Sequence, residues 1–536
     1  MLSPANCNTS YLAGASQGET LYSDALRIPN HSILDGFDIC IIGAGAAGIA
    51  MATRLAGSSK NVLMLCNGTP SDAGQTPNPS QMALYEGTVG PFLKKVNPTF
   101  CTQSRLNMYG GTTNHFAYYA HPMDEVDLKP RPGYRDAHWP IDVEDFSRYY
   151  PEANSFGNYG PFSYNDIPFW SRALKGVPFS SKPGDGLQNL IWHAQSNQDI
   201  YQFQTQCGPM LEAAPNVNVL FNAHALTIHA TEGKDHVVEI NCAALDASGG
   251  TGSRFHVRAA SYVLATGGIE PVRLLKLSGN LGDNAKGHLG RGFMVHPLIV
   301  NTATVKFPQV VDPAIRNFYT RTTVRLPGPQ QSAGEPSHNA DLEGSFNFDA
   351  WGVLAPKVDV LACERMGNFH AALLFTKGGD QLTISILWES VPNENSTITL
   401  DKTQTDSVFH QPVVHVDWNL LMEDKHTIQR AAERCRQFFV ARGASFELET
   451  DLNCGPEHWT INPGAPNALW ANEHHMGALR MSAYPEDGIV DRNMRVHTVD
   501  NLYVAGSGVY PTSGHPNPTL TIVALALRLA DHLQSL

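Results

Sequence analysis

A glycine-rich turn separates two short apolar segments in FDICIIGAGAAGIAMATRLAGSSKNVLMLC, residues 37–66. Residues 37–42 form an apolar run that ends at a glycine, which is typical of a buried parallel strand. Residues 46–55 are rich in helix formers and stop just before Gly57, and residues 62–65 form a second apolar run. The segment therefore predicts a strand–helix–strand unit of about 30 residues, the length of a right-handed crossover.

The turn has the spacing Gly43-x-Gly45-x-x-Gly48. Glycine at the first position permits a tight turn, at the second it lets a pyrophosphate approach the backbone, and at the third it lets helix and strand pack closely. The phosphates would lie at the helix N-terminus, where backbone N–H groups are unpaired. We therefore expect a dinucleotide to contact Gly43, Gly45, Ala46, Ala47 and Gly48.

The residue at the end of the second predicted strand departs from this pattern. A carboxylate is expected there to hold the adenosine ribose, but the chain has Cys66, and the next acidic residue is Asp72. A thiol cannot accept the two ribose hydrogen bonds that a carboxylate accepts. The sequence predicts an altered adenosine contact at Cys66 and gives no reason to assign it a redox role.

Two further apolar segments, residues 261–265 and 501–505, also end in small residues. Strands that end in this way favour one parallel sheet whose carboxyl edge faces a ligand. The segments are far apart in sequence, so the predicted fold class is α/β with a discontinuous, Rossmann-like domain.

A second domain is predicted between these segments. Residues 381–388, 397–400 and 413–416 alternate as half-buried strands, and residues 425–442 read as an amphipathic helix stopped by Gly443. This pattern indicates an α+β domain built on an antiparallel sheet. The predicted division is 36–125, 205–300 and 470–536 for the dinucleotide-binding domain, and 126–204 and 301–469 for the second domain.

Composition excludes several classes of function. The 37 Lys and Arg against 50 Asp and Glu give a net charge of −13, without a basic stripe, so no nucleic-acid partner is expected. The longest uncharged apolar run, residues 39–53, is too short to span a bilayer, and residues 1–25 lack a secretory pattern. The nine cysteines contain no C-x-x-C pair, so neither a disulfide framework nor a metal site is predicted. We expect a cytoplasmic protein.

Four segments in order along the chain resemble the glucose–methanol–choline oxidoreductases. They are the N-terminal turn, MYGGTTNHF at 108–116, VLATGGIEPVRLLKLSG at 263–279, and HHMGALRM at 474–481 with the C-terminal sequence that follows it. The second of these segments, with HWPIDVEDFSRYYPEA, is most similar to the pyranose oxidase and glucose/gluconate dehydrogenase branch. Pro271, Val272 and Ala478 depart from the usual residues of their motifs.

The resemblance implies an FAD-dependent enzyme that oxidises an alcohol group of a sugar, polyol or other small alcohol by hydride transfer to the flavin. In pyranose oxidases the histidine matching His115 is linked covalently to the flavin, whereas relatives of the same branch keep it unlinked, so both states stay open. Besides the first turn and Cys66, the residues that the resemblance assigns to FAD are Gly110, Gly111, Thr112, Asn114, His115, Ala225, Ala265, Gly267, Gly506, Pro518 and Thr519.

The C-terminal segment also supplies candidates for chemistry. Asn517 and Pro518 are favoured at a helix cap and at a first helical position, so a buried helix is predicted from Pro518. Its N-terminal N–H groups would stabilise negative charge on a reduced flavin. By resemblance His474 is the base that takes the hydroxyl proton, and Asn517 orients the substrate oxygen. His475 is an adjacent alternative, and His515 is a third candidate if Asn517 serves as the cap.

Three other functions are compatible with the same residues. They are a lyase in which FAD is structural, an enzyme that uses light absorbed by the flavin, and a flavin-binding protein without catalysis. The sequence does not distinguish oxygen, a quinone or another acceptor for reoxidation, nor an oligomeric state.

Overall fold

The computed structural model describes residues 22–69, 85–115, 119–131, 138–196, 202–245, 250–327, 345–453 and 468–536. Three β-sheets and the helices around them make up the fold. The α-helices are Ala46–Leu55, Pro91–Val96, Phe100–Gln103, Glu125–Leu128, Val143–Ser147, Tyr150–Phe156, Ile167–Ala173, Phe203–Ala213, Glu270–Leu277, Pro313–Tyr319, Val358–Glu364, Met422–Val440 and Thr519–Ser535. Strands are numbered along the chain.

The first sheet has eight strands and contains the predicted strand–helix–strand unit. Its strands are β1 Tyr22–Asp24, β2 Ile33–Ile42, β3 Val62–Leu65, β7 Val217–Phe221, β8 Ala223–Ala230, β9 Val237–Leu245, β10 Thr251–Leu264 and β22 Leu502–Val504. The order β1-β7-β3-β2-β10 is parallel, β22 pairs with β10 in parallel, and β9 and β8 continue from β10 as antiparallel strands.

The register brings the glycine-rich strand ends to one edge. Leu264 pairs with both Ile42 and Val504, and Ile42 pairs with Leu65. The carboxyl ends of β2, β3, β10 and β22 therefore lie at the same level, which is the arrangement that the apolar segments predicted. The sheet extends beyond the predicted boundary at residue 36, because β1 and the start of β2 also pair in it. The short β1 has no apolar alternation that could have predicted it.

The second sheet has nine strands and is antiparallel. Its strands are β5 Tyr119–Ala120, β6 Leu187–Gln195, β12 Pro297–Lys306, β13 Thr322–Pro327, β14 Ser345–Pro356, β15 Phe369–Phe375, β16 Gln381–Trp388, β19 Ser445–Leu448 and β20 Leu469–Ala471. The helix Met422–Val440, predicted over 425–442, starts three residues earlier, because Asp424 accepts hydrogen bonds from the backbone N–H groups of Leu421 and Val391.

A third sheet joins the two parts of the molecule. Its five strands are β4 Gly87–Val89, β11 Arg291–Met294, β17 Thr397–Thr405, β18 Pro412–Asp417 and β21 Met476–Ala478. Two strands expected in the second domain, β17 and β18, lie here rather than in the nine-stranded sheet. Alternation identifies a half-buried strand but not the sheet it joins, because strand pairing depends on residues distant in sequence.

The residues predicted for the second domain also contact the first. Residues 138–173 carry short helices, and Glu152 of this region forms an ion pair with Arg54 at 2.9 Å. One buried apolar core runs from Ala25 to Leu533 through both parts of the molecule. The division into domains therefore stays a prediction. In the described ranges, no helix is long and apolar enough to cross a membrane.

Candidate active site

A cavity of about 770 Å³ lies between the carboxyl edge of the eight-stranded sheet and one face of the nine-stranded sheet. At one end it is lined by Cys66, His224 and Ala225, and at the other by His474 and Asn517. Its volume falls within the range of roughly 300–1,000 Å³ that is usual for ligand sites.

The first glycine turn has the shape that a pyrophosphate requires. Gly43 has φ +110°, and a Cβ there would lie 2.6 Å from the carbonyl oxygen of Ala265. A Cβ on Gly48 would lie 2.0 Å from the carbonyl oxygen of Gly43, so only glycine permits this packing of helix and strand. By contrast, a Cβ on Gly45 would meet no atom within 4 Å and would project into open space at the cavity.

Two helices present unpaired N-termini to the cavity. Gly45 caps the helix Ala46–Leu55 without a side-chain hydrogen bond, and its first turn contains no acidic residue. Pro518 caps the helix Thr519–Ser535, also without a side-chain hydrogen bond. Free N–H groups and the positive helix end favour an anionic ligand at each place. The open space at Gly45 and these two helix ends fit a dinucleotide cofactor that spans the cavity.

The second glycine loop packs directly on the first. The N–H of Gly110 donates to the carbonyl of Ala44 at 2.9 Å, and Gly110 and Gly111 both have positive φ. A Cβ on Gly111 would lie 3.1 Å from the Cα of Gly45. The side chain of Asn114 donates to the carbonyls of Tyr109 and Gly111, so it holds the loop rather than the ligand.

Charged and aromatic side chains surround the Cys66 end of the cavity. Cys66 itself is buried at the end of β3, and its sulfur accepts a hydrogen bond from the N–H of Gly68 at 3.4 Å. The nearest acidic lining residue is Glu270, which is paired with Arg105. His224 stacks on Phe409, and burial lowers the pKa of His224 to about 3.

Most of the residues expected to contact the cofactor do line the cavity. Three of them, Gly48, Gly110 and Asn114, instead lie behind its wall and shape the backbone. The lining residues are Gly43, Gly45, Ala46, Ala47, Cys66, Gly111, Thr112, His115, Ala225, Ala265, Gly267, Gly506, Pro518 and Thr519.

At the other end of the cavity, His474 and Asn517 lie side by side. The side-chain amide of Asn517 donates to Nε2 of His474 at 3.1 Å. Asn517 is therefore not the helix cap that the sequence predicted. The helix begins at Thr519, one residue later than expected, with Pro518 as its cap, and this leaves the Asn517 side chain free to face His474.

A hydrogen-bonded chain determines which nitrogen of His474 carries a proton. His296 Nε2 lies 2.8 Å from the carbonyl oxygen of Gly514, and a carbonyl only accepts, so this nitrogen is N–H. Burial lowers the pKa of His296 to about 4, so His296 is neutral and its Nδ1 is an acceptor.

His474 Nδ1 lies 2.8 Å from that acceptor, His296 Nδ1, and must therefore donate. The remaining nitrogen of His474, Nε2, then carries a lone pair beside the N–H of Asn517. Burial, with the nearby His296 and His475, keeps the pKa of His474 well below its usual value. The cavity thus offers an uncharged nitrogen base and an N–H donor at one point, which suits removal of a proton from a hydroxyl group.

The two alternative histidines have different surroundings. His475 Nε2 is hydrogen bonded to the Ser104 hydroxyl at 2.8 Å, and its ring packs edge-on against Phe100. His515 is fully buried and does not line the cavity, since it lies behind His370. The interpretation in which His515 faces the substrate does not fit, because Asn517 is not consumed as a cap. Ala478 also lies away from the cavity wall, and the His474–Asn517 contact is present with alanine at this position.

Packing brings two further histidines to the site. His296 is hydrogen bonded to the predicted base. His370, on β15, lines the cavity, and none of the sequence motifs predicts it. Alternation in FHAALLF places His370 and Ala372 on one face of a strand, but only the sheet pairing shows that this face is the cavity wall.

A dinucleotide cradle that ends at a neutral histidine–asparagine pair suits a flavin-dependent oxidoreductase. Residues 392–526 match the GMC oxidoreductase family model. The chain is 24% identical over 558 residues to 2-methyl-1,2-propanediol dehydrogenase from Mycolicibacterium austroafricanum, covering 93% of this chain and 95% of that protein. It is 23% identical to the fructose dehydrogenase large subunit from Gluconobacter japonicus, with 92% and 97% covered. A formate oxidase structure superposes with a TM-score of 0.55 at 17% identity over 95% of this chain and 99% of that one.

Residues 392–526 therefore carry a GMC oxidoreductase domain, the family that the four sequence segments predicted. The chain is an FAD-dependent oxidoreductase that acts on an alcohol group, and the comparisons do not favour the lyase, light-driven or non-catalytic alternatives.

Proposed function

We propose that His474 takes the hydroxyl proton of an alcohol while Asn517 holds the same oxygen. The observation that supports this most directly is the chain from Gly514 through His296, which leaves the lone pair of His474 Nε2 at the cavity. FAD bound in the glycine-lined part of the cavity supplies the hydride acceptor. The N-terminus of the helix Thr519–Ser535 would stabilise the negative charge that reduction places on it.

The substrate is a small polyol or sugar. Two relatives that align over nearly the whole chain are named for a diol and for fructose, which supports an alcohol rich in oxygen. One face of the nine-stranded sheet lines the cavity and presents His370 among mostly apolar side chains.

His115 belongs to the same proposal. It lines the cavity at the end of the second glycine loop, and burial lowers its pKa, so its ring is neutral at pH 7. A neutral ring suits either a covalent link to the flavin or simple packing beside it. Acid precipitation of the purified protein separates the two states. Yellow colour that stays in the pellet means a covalent link, with His115→Ala as the next variant, whereas colour in the supernatant means packing alone.

The direct test of the proposal is flavin bleaching by alcohols without oxygen. Purified holoenzyme is mixed anaerobically with a panel of sugars, polyols and simple alcohols, and absorbance of the oxidised flavin is followed in a stopped-flow instrument. Saturable bleaching by at least one member of the panel is expected. Failure of every alcohol to bleach a flavin that dithionite reduces normally would contradict the proposed activity.

A further inference from the structure

A second pair of histidines begins at His370, which lines the same cavity as His474. His370 Nδ1 is 3.3 Å from Nδ1 of His515, and the His370 ring packs on Trp192 with centroids 4.2 Å apart. His515 is fully buried, and its Nε2 is 3.1 Å from Oδ2 of Asp124. These three residues form a chain that starts at the cavity wall and ends at a carboxylate behind it.

The carboxylate end of this chain is fixed by neighbouring groups. The Asn368 side-chain amide donates to Asp124 at 3.0 Å and to Asp127 at 2.9 Å. Burial by itself would raise the pKa of Asp124, but the hydrogen bonds from His515 and Asn368 and the charge of His515 hold it below its usual value. Asp124 is therefore ionised, and it can only accept from His515 Nε2–H.

The charges around His515 favour its protonated form. Burial would lower the pKa of His515, but the hydrogen bond to Asp124 and the negative charge of Asp124, Asp127 and Glu389 raise it above its usual value. The other titratable groups facing the pair include the neutral rings of His121 and His296 and the Arg131 that pairs with Glu389. No other positive group competes with His515 for Asp124 in the described part of the chain.

The protonation of His515 determines what His370 presents to the cavity. A protonated His515 carries N–H on both nitrogens, so its Nδ1 donates to Nδ1 of His370. Burial keeps the pKa of His370 well below its usual value, so His370 is neutral and its proton must be on Nε2. Among the described residues, none is hydrogen bonded to that Nε2, although His370 lines the cavity.

Apolar side chains make up much of the wall around His370. Ala372 lies on the same strand, and Leu298, Val300 and Leu387 lie on β12 and β16 of the same sheet. The hydroxyl of Ser385 accepts a hydrogen bond from the N–H of Asn301 at 3.1 Å. A buried N–H in such surroundings is costly unless a ligand satisfies it.

We propose that His370 is a substrate-binding residue whose Nε2–H donates to a second oxygen of the substrate, and that His515 and Asp124 are positioning residues that keep this nitrogen protonated. The substrate class is then an alcohol with a second hydroxyl, ether or carbonyl oxygen, such as a diol, polyol or sugar. This inference rests on the proposed function and assigns the group that selects its substrate.

The test compares alcohols that differ only in the second oxygen. The kcat/KM of the holoenzyme is measured for 1-butanol and for 1,2-, 1,3- and 1,4-butanediol, and the largest diol-to-butanol ratio is the quantity of interest. The His370→Phe substitution should lower this ratio about 10- to 100-fold, the usual effect of losing a hydrogen bond from a buried polar group. His370→Gln, which keeps an N–H donor of similar reach, should restore part of it.

Two more variants distinguish a loss of selectivity for the diol from a general loss of activity. Asp124→Asn should also lower the diol-to-butanol ratio, mainly through KM for the diol, because His515 is then no longer held protonated. Ser385→Ala is the matched control on the same wall and should leave the ratio within about twofold of the wild-type value. A ratio that is unchanged in His370→Phe, or that falls in Ser385→Ala instead, would overturn the proposal.

Nitrogen NMR of ¹⁵N-histidine-labelled holoenzyme tests the chain without turnover. Assignment by the His515→Phe and His370→Phe variants should give one ring with both nitrogens protonated, His515, and one with only Nε2 protonated, His370. A neutral His515 at pH 7 would contradict the proposal even if alcohols are oxidised. If no alcohol reduces the flavin while the NMR pattern is found, the proposed function fails and the histidine chain stands.

Discussion

Two hydrogen-bonding partners of His474 determine which of its ring nitrogens carries the proton before substrate binds. Nδ1 contacts His296, and Nε2 contacts Asn517 at 3.1 Å. We expect His474→Ala to slow flavin reduction by about 10²–10⁴-fold, the usual contribution of a general base, and to leave FAD bound. Anaerobic stopped-flow absorbance measures the rate, and the flavin content per chain is the control. Unchanged reduction kinetics would rule out His474 as the base.

In the proposed mechanism, His296 acts on the reaction only through its hydrogen bond to His474. Replacing His296 with Leu removes the acceptor that keeps the proton on Nδ1 of His474, so both tautomers would be populated. We expect His296→Leu to slow flavin reduction by about 10–10³-fold. His296→Gln supplies a carbonyl oxygen that can accept from Nδ1 and should recover part of this rate. If both variants lost the same rate, volume rather than the tautomer would be the cause.

Two glycines of the first turn are needed for different physical reasons. Gly48 is needed for the contact between helix and strand, whereas Gly45 leaves space beside the helix N-terminus. We expect Gly48→Ala to reduce the free energy of unfolding of the apoprotein by about 2–4 kcal/mol, because its Cβ would overlap the Gly43 carbonyl. Gly45→Ala should change that free energy by less than about 1 kcal/mol, because Gly45 has an ordinary φ of −90°.

The two variants should therefore separate folding from cofactor binding. Gly45→Ala is expected to weaken FAD binding at least about 10-fold, since its methyl group occupies the space meant for the pyrophosphate. Chemical unfolding of the apoprotein and fluorescence titration with FAD measure the two quantities independently. Wild-type FAD affinity in Gly45→Ala would mean that the pyrophosphate does not approach this turn.

The segment 511–518 supports both histidine pairs. The Gly514 carbonyl holds His296, His515 supports His370, and Asn517 contacts His474. Gly514 has φ +55°, and a Cβ there would lie 2.8 Å from Met123 Cε. One short segment thus contacts residues that bear on the protonation of both the proposed base and the proposed substrate donor.

The molecule as a whole buries many uncharged histidines, which makes its stability depend on pH. Burial lowers the pKa of five of them to about 3 or 4, below the value of about 6.5 in the unfolded chain. Their contribution to the free energy of unfolding is fully present above pH 6.5. It is lost as pH falls, because the unfolded chain then binds protons that the folded protein does not bind. The five are His121, His193, His224, His296 and His475.

Two buried carboxyl groups oppose this effect. Burial raises the pKa of Asp127 and of Asp424 to about 7. Their contribution to the free energy of unfolding is therefore lost as pH rises through that value. Because the five histidines outnumber the two carboxyls, we expect the free energy of unfolding to fall by roughly 2–4 kcal/mol per pH unit between pH 6 and 5. Urea unfolding of the apoprotein at a series of pH values measures it. His193→Phe should flatten the slope, and a stability maximum at pH 5 would contradict this account.

Local pattern in the sequence was enough for the cofactor-binding part of the molecule. All the predicted elements of this part are present, namely the helix at 46–55 and the strands at 37–42, 62–65, 261–265 and 501–505. They could be predicted because a buried parallel strand or a helix start has a characteristic pattern within a few neighbouring residues. Family resemblance added His474 and Asn517, which the fold places in contact. Their catalytic roles stay predictions.

The hydrogen-bonding partners that determine the proton positions on the site histidines come from segments far apart in the sequence. His296 lies 178 positions from His474, His370 lies 145 from His515, and His515 lies 391 from Asp124. Alternation along a strand shows that two faces exist but not which face borders a cavity, and a histidine's protonation depends on partners that pairing and packing bring to it. Local sequence therefore specified the glycine turns and their strands, whereas burial and long-range contact decide the proton positions on which the proposed roles of His474 as base and His370 as donor depend.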